Sequence, residues 1–366
     1  MSGLPVAARI ASEWLGEGRR VVAATLVERI GSAPLDPGAQ MLVDDRRRIE
    51  GSVTGGCVEA ALFEEAEEVL AGAAPHLVTY GVSDEEAAGV GLMCGGTVRV
   101  FVHEIGAAEG ELLGLAAAEI AAGRPVAVAT LLEGERAGAK LVVLPDRVEG
   151  GLGVTELLDR SVAREARGFL DEGRSQVRRY GAGGEVMGAE LPVYIQAFST
   201  APEMIVFGAI DFSAELAAIA ADAGYRTTIC DARAAFASSP RFARAAEVVV
   251  DWPDRFMAGR RLGPRDAVLV FTHDPKFDEP ALVAALASGA GYVGALGSRR
   301  THALRVERLR EHGLAEQEIA RIHAPCGLDI GARTPAETAI SILAEVIKAR
   351  SGRSGAALGE TSGPIH

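Results

Sequence analysis

The chain has 366 residues, 48% of them hydrophobic, with 37 Lys and Arg against 50 Asp and Glu and a formal net charge of −13. This length predicts two or three domains. The negative charge disfavours nucleic acid or an anionic membrane as the main partner. No apolar run approaches the roughly 20 residues of a membrane span, and the N-terminus lacks a signal-peptide layout, so we expect a cytoplasmic protein.

The first domain is predicted to cover residues 1–200 and to contain two copies of one unit, at about 20–105 and 124–198. RVVAATLVERI resembles PVAVATLLEGE, and PGAQMLVDDRRRIEGSV resembles AGAKLVVLPDRVEGGLG. The offset of roughly 100 residues is much longer than a solenoid repeat. Each copy is predicted to form a strand, a hairpin, a strand, a glycine-rich turn, a helix and further strands.

The duplication offers an internal comparison for two cysteines. Copy one has GGC at the turn, which contains Cys57, and MCGG before its last strand, which contains Cys94. Copy two has GLGV and GGEVMG there, so the unit requires neither thiol, and this favours functional roles for both. The alternative is that they are small buried cysteines in a core. No two of the four cysteines form CxxC, which disfavours disulfide, zinc and iron–sulfur sites.

A second domain is predicted over residues 203–350, where strands such as MIVFGA, YRTTICD and AVLVF alternate with helical stretches. Strands followed by crossover helices predict a parallel, doubly wound sheet, so the fold class is α/β with a Rossmann-like second domain. Thr334, Pro335 and Glu337 form a capping box that begins the last helix. Residues 351–366 are predicted to be a flexible tail.

Ligands of such a sheet bind at the carboxyl ends of its strands. The first loop there, GAIDFS, keeps only Gly208 of the GxGxxG dinucleotide fingerprint, because Ile210 and Ser213 occupy the other glycine positions. Asp231 does end the second strand, where an acid can bind a ribose hydroxyl. The loop therefore disfavours ordinary dinucleotide binding, and the alternative is a crevice that holds another ligand or none.

Three further loops leave the same edge: THD, GSRR and CGLDIGARTP. Thr272 and Asp274 could bind a ligand or cap a helix. His273 could titrate near neutral pH. The GSRR turn could hold a phosphate, or its arginines could form a solvated first turn. Candidate ligand residues on these loops are Thr272, His273, Gly297, Ser298, Arg299, Gly327, Asp329 and Gly331. Cys230 is predicted to lie in the core, and Cys326 lies in a loop where no role is predicted for it.

These motifs occur together in a known family. GSAPLDPGAQMLV, GSVTGGCVEAAL and CGGTVRVFVHE in the first half resemble the XdhC/CoxI family, and VFTHD, ALASGAGYVGALGSR and HAPCGLDIGARTPAETAISILAEVI resemble its C-terminal domain. The resemblance implies an XdhC/CoxI domain followed by a Rossmann-like domain. FGAIDFS departs from the FGAGHV of many members, which puts phosphate binding by that loop in doubt.

The resemblance also implies a function. Members are accessory proteins that bind molybdenum cofactor, support its sulfuration by a cysteine desulfurase, and deliver it to an apo-hydroxylase such as xanthine or carbon monoxide dehydrogenase. A chaperone rather than a catalyst is therefore expected, with a homodimer as its assembly. The alternative is an oxidoreductase that uses NAD(P) or a redox thiol.

Under this hypothesis Cys57 is the candidate molybdenum contact, because soft thiolates suit such centres and a helix N-terminus favours the thiolate. The amides of Gly55 and Gly56 would approach a pterin phosphate or an oxo group. Glu59 could take part in the chemistry or cap the helix. The MCGG turn, with Cys94, Gly95 and Gly96, is predicted to converge on Cys57, and the site is expected between copy one and the rim of the second domain.

Overall fold

The computed structural model describes residues 4–31, 34–81, 96–186 and 190–362. The described chain falls into two compact units. The first holds the described residues up to Thr200, and the second holds Ala201–Ser362. Within the described ranges, no helix combines the length and the apolar character that a bilayer span requires.

The first copy forms an antiparallel sheet whose strand order is β3-β2-β1-β5-β4. Its elements are α1 (Leu4–Gly16), β1 (Val21–Ile30), β2 (Gln40–Asp44), β3 (Ile49–Gly51), α2 (Glu59–Leu70), β4 (His76–Tyr80) and β5 (Thr97–Glu104). The central strand β1 pairs with β2 on one side and β5 on the other. Helix α2 packs on one face of the sheet through Leu62, Ala66 and Val69.

The second copy repeats this arrangement, with the strand order β8-β7-β6-β10-β9. Its elements are α3 (Ala107–Ala121), β6 (Val126–Leu131), β7 (Lys140–Val143), β8 (Val148–Gly150), α4 (Glu156–Glu172), β9 (Gln176–Tyr180) and β10 (Leu191–Phe198). Helix α4 covers its sheet through Leu158, Val162 and Ala166. The equal order of the two sheets confirms the predicted duplication.

Helices α1 and α3 are not among the predicted elements, because the sequence pattern places the start of each copy at its first strand. The two helices pack against each other. Leu4, Ala8, Ala11 and Trp14 of α1 are buried at helical spacing, which is the amphipathic pattern that should have identified it. They share one core with strands of both sheets, and each large buried side chain contributes about 1.5–3 kcal/mol.

The second unit is a parallel sheet of six strands in the order β13-β12-β11-β14-β15-β16. The strands are β11 (Glu203–Phe207), β12 (Arg226–Cys230), β13 (Glu247–Val249), β14 (Ala267–Val270), β15 (Tyr292–Ala295) and β16 (Ile322–His323). This doubly wound order confirms the predicted α/β fold class. The order reverses between β11 and β14, where ligands of such folds bind.

Helices cover both faces of this sheet. They are α5 (Asp211–Asp222), α6 (Ala234–Ala237), α7 (Pro253–Met257), α8 (Pro275–Ala287), α9 (Arg299–Glu311), α10 (Glu316–Ile319) and α11 (Pro335–Ser351). The predicted capping box is confirmed, because the Thr334 hydroxyl accepts from the Glu337 amide and the Glu337 carboxylate accepts from the Thr334 amide. Gly352 ends α11 in the left-handed conformation.

Candidate functional site

The SVTGGC loop, residues 52–57, leads from β3 to α2. Gly55 and Gly56 have φ values of +80° and +124°, which L side chains rarely adopt, and a Cβ at either position would meet no atom of the described residues within 4 Å. The two glycines are therefore required by the backbone, and both are exposed among the described residues. Cys57 follows, one residue before the helix N-cap Val58. Its side chain is half-buried and packs partly against the core under α2.

The Glu59 carboxylate organises this loop. Oε1 accepts hydrogen bonds from the amides of Val53, Thr54 and Gly55 and from the Ser52 hydroxyl, at 2.6–3.1 Å. Oε2 accepts from the amides of Gly56 and Val58 and from the Thr54 hydroxyl, at 2.8–3.2 Å. Burial raises the pKa of Glu59, but these hydrogen bonds outweigh it and lower the pKa to about 2.

This geometry bears on the roles predicted for the loop. The amides of Gly55 and Gly56, expected to approach a cofactor anion, both donate to Glu59 instead. An anionic ligand could reach them only if Glu59 moved away. Of the two roles considered for Glu59, these contacts favour the structural one.

Copy two holds its turn in a related way. The Asp159 carboxylate, 100 residues after Glu59, accepts from the Leu152 amide at 3.0 Å. The Thr155 hydroxyl caps α4 by accepting from the Leu158 amide at 3.1 Å. Both copies thus use a carboxylate near the start of the helix to hold the preceding turn, whereas only copy one has a cysteine there.

The three described cysteines differ in exposure. Cys57 is half-buried, whereas Cys230 and Cys326 are buried, and burial raises the pKa of each of those two thiols to about 12. Cys230 lies in the core, as predicted. Cys94 and Gly95 lie outside the described residues, so their convergence with Cys57 stays a prediction. Gly96 is buried directly before β5.

At the switch point of the second unit, the structure brings together three predicted residues. Gly208 has a φ of +111°, and a Cβ there would lie 3.0 Å from Thr272 Cγ2 and 3.1 Å from its amide nitrogen. The Asp231 carboxylate accepts from the Ala209 amide at 2.8 Å. It also forms an ion pair with Arg233 at 2.7 Å. Burial raises the pKa of Asp231, but these hydrogen bonds lower it overall.

The start of α5 is ill suited to a phosphate. Ile210 is the N-cap residue and makes no side-chain cap. Asp211 places a carboxylate in the first turn, where a dinucleotide pyrophosphate would bind. Arg241 donates to Asp211 at 2.6 Å and to the Ala209 carbonyl at 3.0 Å, so it lies across the turn.

A buried network beneath this edge was not predicted from the sequence. The Thr272 hydroxyl donates to Asp278 of α8. Arg305 of α9 is fully buried, and its Nη2 donates to Asp278 Oδ2 at 2.9 Å and to the Leu296 carbonyl at 3.2 Å. Arg305 lies four residues before Leu309, the other buried residue of α9, so the two share one face of the helix.

Other candidate ligand residues lie in the loops that follow β14 and β15, at the carboxyl ends of the strands. His273 and Arg299 are exposed, and Gly297 has a φ of +135°. The Ser298 hydroxyl caps α9 by accepting from the Thr301 amide at 3.1 Å. Asp274 caps α8, which was the alternative considered for the acid of the THD loop.

The CGLDIGARTP loop is fastened to α11. The Glu345 carboxylate accepts from the Gly327 amide at 2.6 Å, and the Ser341 hydroxyl donates to the Leu328 carbonyl at 2.6 Å. Burial raises the pKa of Glu345, but hydrogen bonds from His323, Gly327 and Tyr292 lower it to about 2. Asp329 and Gly331 are exposed at the tip of the loop.

Comparison with known proteins agrees with this architecture. The family model described as the XdhC and CoxI family matches residues 14–81 and 119–181, and the XdhC Rossmann domain matches residues 204–346. The molybdenum cofactor insertion chaperone PaoD of Escherichia coli is 30% identical over 342 residues, which cover 93% of this chain and 87% of PaoD. The chain belongs to the XdhC and CoxI family.

Two further relatives span nearly the whole chain. A Bacillus subtilis protein named as a probable xanthine dehydrogenase subunit is 26% identical over 92% of this chain and 95% of its own. A crystal structure titled as a xanthine dehydrogenase of Bacillus halodurans is 25% identical, with a TM-score of 0.60 and 98% coverage of both chains. The XdhC and CoxI matches include Cys57, whereas Cys94 falls between the two matched segments.

Proposed function

We propose that this protein binds molybdenum cofactor as cargo, supports its sulfuration and delivers it to a molybdenum hydroxylase such as xanthine or carbon monoxide dehydrogenase. The observation that carries the proposal is Cys57, a half-exposed thiol that follows two exposed glycines, in a loop whose counterpart in copy two has no cysteine. The names of the relatives point to the same process. Membership of the family supports molybdenum cofactor as the cargo. The structure of the SVTGGC loop supports this loop as the place where the cargo binds.

The residues of the SVTGGC loop fit such a cargo in part. Cys57 offers a soft sulfur donor, which suits a molybdenum centre already held by sulfur ligands. Gly55 and Gly56 present no side chain and are exposed, and a Cβ at either position would meet no described atom within 4 Å, so this surface is proposed to receive the cargo. The amides of Gly55 and Gly56 already donate to Glu59. The group proposed to bind the cargo in this loop is therefore the Cys57 thiol and not the backbone amides.

The loops at the carboxyl ends of the second unit's strands are proposed to bind an anionic group. His273 and Arg299 are exposed there, and the Ser298-capped start of α9 supplies the positive end of a helix dipole. Asp211 and the paired Asp231 disfavour NAD(P) at the neighbouring turn. A cysteine desulfurase and the apo-hydroxylase are the proposed partners of a cytoplasmic homodimer.

The first test measures retained pterin. The purified protein is loaded with molybdenum cofactor, freed of excess, denatured and oxidised, and the released pterin is quantified by fluorescence. We expect near-stoichiometric pterin on the wild type, and at least tenfold less retained pterin on Cys57→Ala. Asp159→Asn, which perturbs the corresponding turn of copy two, is the matched control and should retain the pterin. Absence of pterin from the wild type would refute the carrier role.

A second test addresses sulfuration and delivery. Loaded protein is mixed with an apo-hydroxylase, with or without a cysteine desulfurase and its cysteine substrate, and hydroxylase activity is followed. Activity that requires both the loaded protein and the desulfurase would support the whole proposal. Activity without the desulfurase would contradict the sulfuration step and leave delivery standing.

A further inference from the structure

An internal cavity lies in the first unit, between the sheets of the two copies. Its volume is about 20 Å³, more than the roughly 10–15 Å³ that one water molecule needs. Apolar groups from both sheets and from α1 and α3 line part of it, but besides Tyr194 six of its lining residues carry amide, hydroxyl, imidazole or ammonium groups. They are Thr25, Gln40, His103, Thr130, Lys140 and Gln196.

These six residues come in corresponding pairs, one from each copy. Thr25 lies opposite Phe101 in the first sheet, as Thr130 lies opposite Tyr194 in the second. His103 and Gln196 follow on the same strands, two residues further along in sequence. Gln40 in PGAQ corresponds to Lys140 in AGAK. The cavity is therefore polar on both sides, and its one ammonium group stands where the other copy has a neutral amide.

Lys140 is buried, with 4% of its surface exposed. Its Nζ lies 3.0 Å from His103 Nε2 and 3.5 Å from Thr130 Oγ1. Among the described residues, no carboxylate oxygen lies within the 4 Å of an ion pair with it, and Glu109 acts on it only from a greater distance. His103 does not supply a second cation, because burial and the nearby Lys140 hold its pKa well below the usual range.

A buried ammonium group without a contacting counter-charge is costly, so buried charges are normally paired. Burial outweighs the distant Glu109 and lowers the pKa of Lys140 to about 8, which leaves the side chain mostly protonated at neutral pH. An ammonium carries three N–H donors, and His103 and Thr130 account for two. The Tyr194 hydroxyl also lines the cavity and is buried without a hydrogen-bond partner among the described residues.

We propose that this cavity binds one halide-sized inorganic monoanion as the counter-ion of Lys140, with the Tyr194 hydroxyl as a further donor. The cavity has room for one small particle such as a water molecule or a small monoanion, and a single negative charge matches its one ammonium group. The ion neutralises the buried ammonium between the two copies and so stabilises the packing of their sheets. This inference is independent of the proposed cargo.

Crystals soaked in sodium bromide test the proposal directly. We expect an anomalous bromine peak within about 3.5 Å of Lys140 Nζ, and its loss in Lys140→Gln. That variant is a matched control, because Gln40 already occupies the corresponding position in copy one. A peak of equal height in the variant, or density for water alone in the wild type, would overturn the proposal.

Thermal unfolding provides a second readout that needs no crystals. At constant ionic strength, replacing sulfate by bromide lowers melting temperatures in general, because sulfate is the more stabilising salt. Bromide bound at the site should offset part of that decrease, so the wild type should lose less melting temperature than Lys140→Gln. Tyr194→Phe is the second variant, to be used if Lys140→Gln fails to fold. It removes one hydrogen-bond donor and little volume, so the offset from bound bromide should be smaller than in the wild type. An equal bromide effect on wild type and Tyr194→Phe would overturn the role of the tyrosine.

Discussion

The substitution Glu59→Gln tests how the SVTGGC loop is held. The glutamate accepts seven hydrogen bonds through its two oxygens. Glutamine keeps one acceptor oxygen and presents an NH₂ group to the donors that face the other. The loss therefore includes both charge and acceptor geometry, and we expect it to destabilise the first unit.

The lowered pKa of Glu59 gives the free energy that the contacts of its carboxylate contribute to the folded state. A decrease from 4.5 to about 2 corresponds to about 3 kcal/mol at 1.36 kcal/mol per unit. Because the carboxylate is only half-buried, solvent screening reduces this to about 2 kcal/mol. A lowered carboxyl pKa stabilises the folded state fully above the unfolded value of 4.5, and this contribution is lost as the pH falls from about 4.5 towards 2.

Urea denaturation can isolate the first unit. The chain has two tryptophans, Trp14 in the first unit and Trp252 in the second. In a Trp252→Phe background, fluorescence reports on Trp14 alone. Glu59→Gln should lower the free energy of unfolding by about 2 kcal/mol at pH 7 and by less near pH 3.5.

The matched control is Asp159→Asn, which weakens one loop hydrogen bond in copy two and should cost about 1 kcal/mol or less. Equal costs for Glu59→Gln and Asp159→Asn would refute the special role of the Glu59 carboxylate. A cost that does not change with pH would refute the electrostatic explanation.

Three further predictions concern a thiol, a glycine and a buried ion pair. Under native conditions at pH 7.5, iodoacetamide should alkylate Cys57 at least tenfold faster than Cys230, because burial raises the pKa of the Cys230 thiol to about 12. Peptide mass spectrometry measures both rates, and comparable rates would contradict this prediction. Gly55→Ala should cost about 1 kcal/mol or more in thermal denaturation, because its φ of +80° is strained for alanine, and an unchanged melting temperature would contradict this. Arg305→Met should cost about 3–5 kcal/mol by leaving the buried Asp278 unpaired, and the added change Asp278→Asn should recover part of that loss in Trp252 fluorescence melts.

The sequence predicted those features that depend on local pattern. Strand and turn signals were enough for the duplication and the doubly wound sheet, and the capping box at Thr334 was readable from three residues. The network of Thr272, Asp278 and Arg305 was not, because it joins the end of a strand to two separate helices. The role of Glu59 was left open for a related reason: a glutamate at a helix start can cap, bind or react, and only the folded loop distinguishes these roles.

The two copies separate what the fold requires from what it does not. Gly38 and Gly138 both adopt positive φ, at 102° and 98°, and Glu59 and Asp159 both hold a turn, so these features recur because the unit needs them. Cys57 has no such counterpart, since copy two forms its turn and buries its helix without a thiol. If Cys57 had no role beyond folding, Cys57→Ser would leave cargo binding unchanged. Because the packing around it is only partial, we expect near-neutral stability together with a loss of pterin, and that separation of effects would assign the thiol to the cargo.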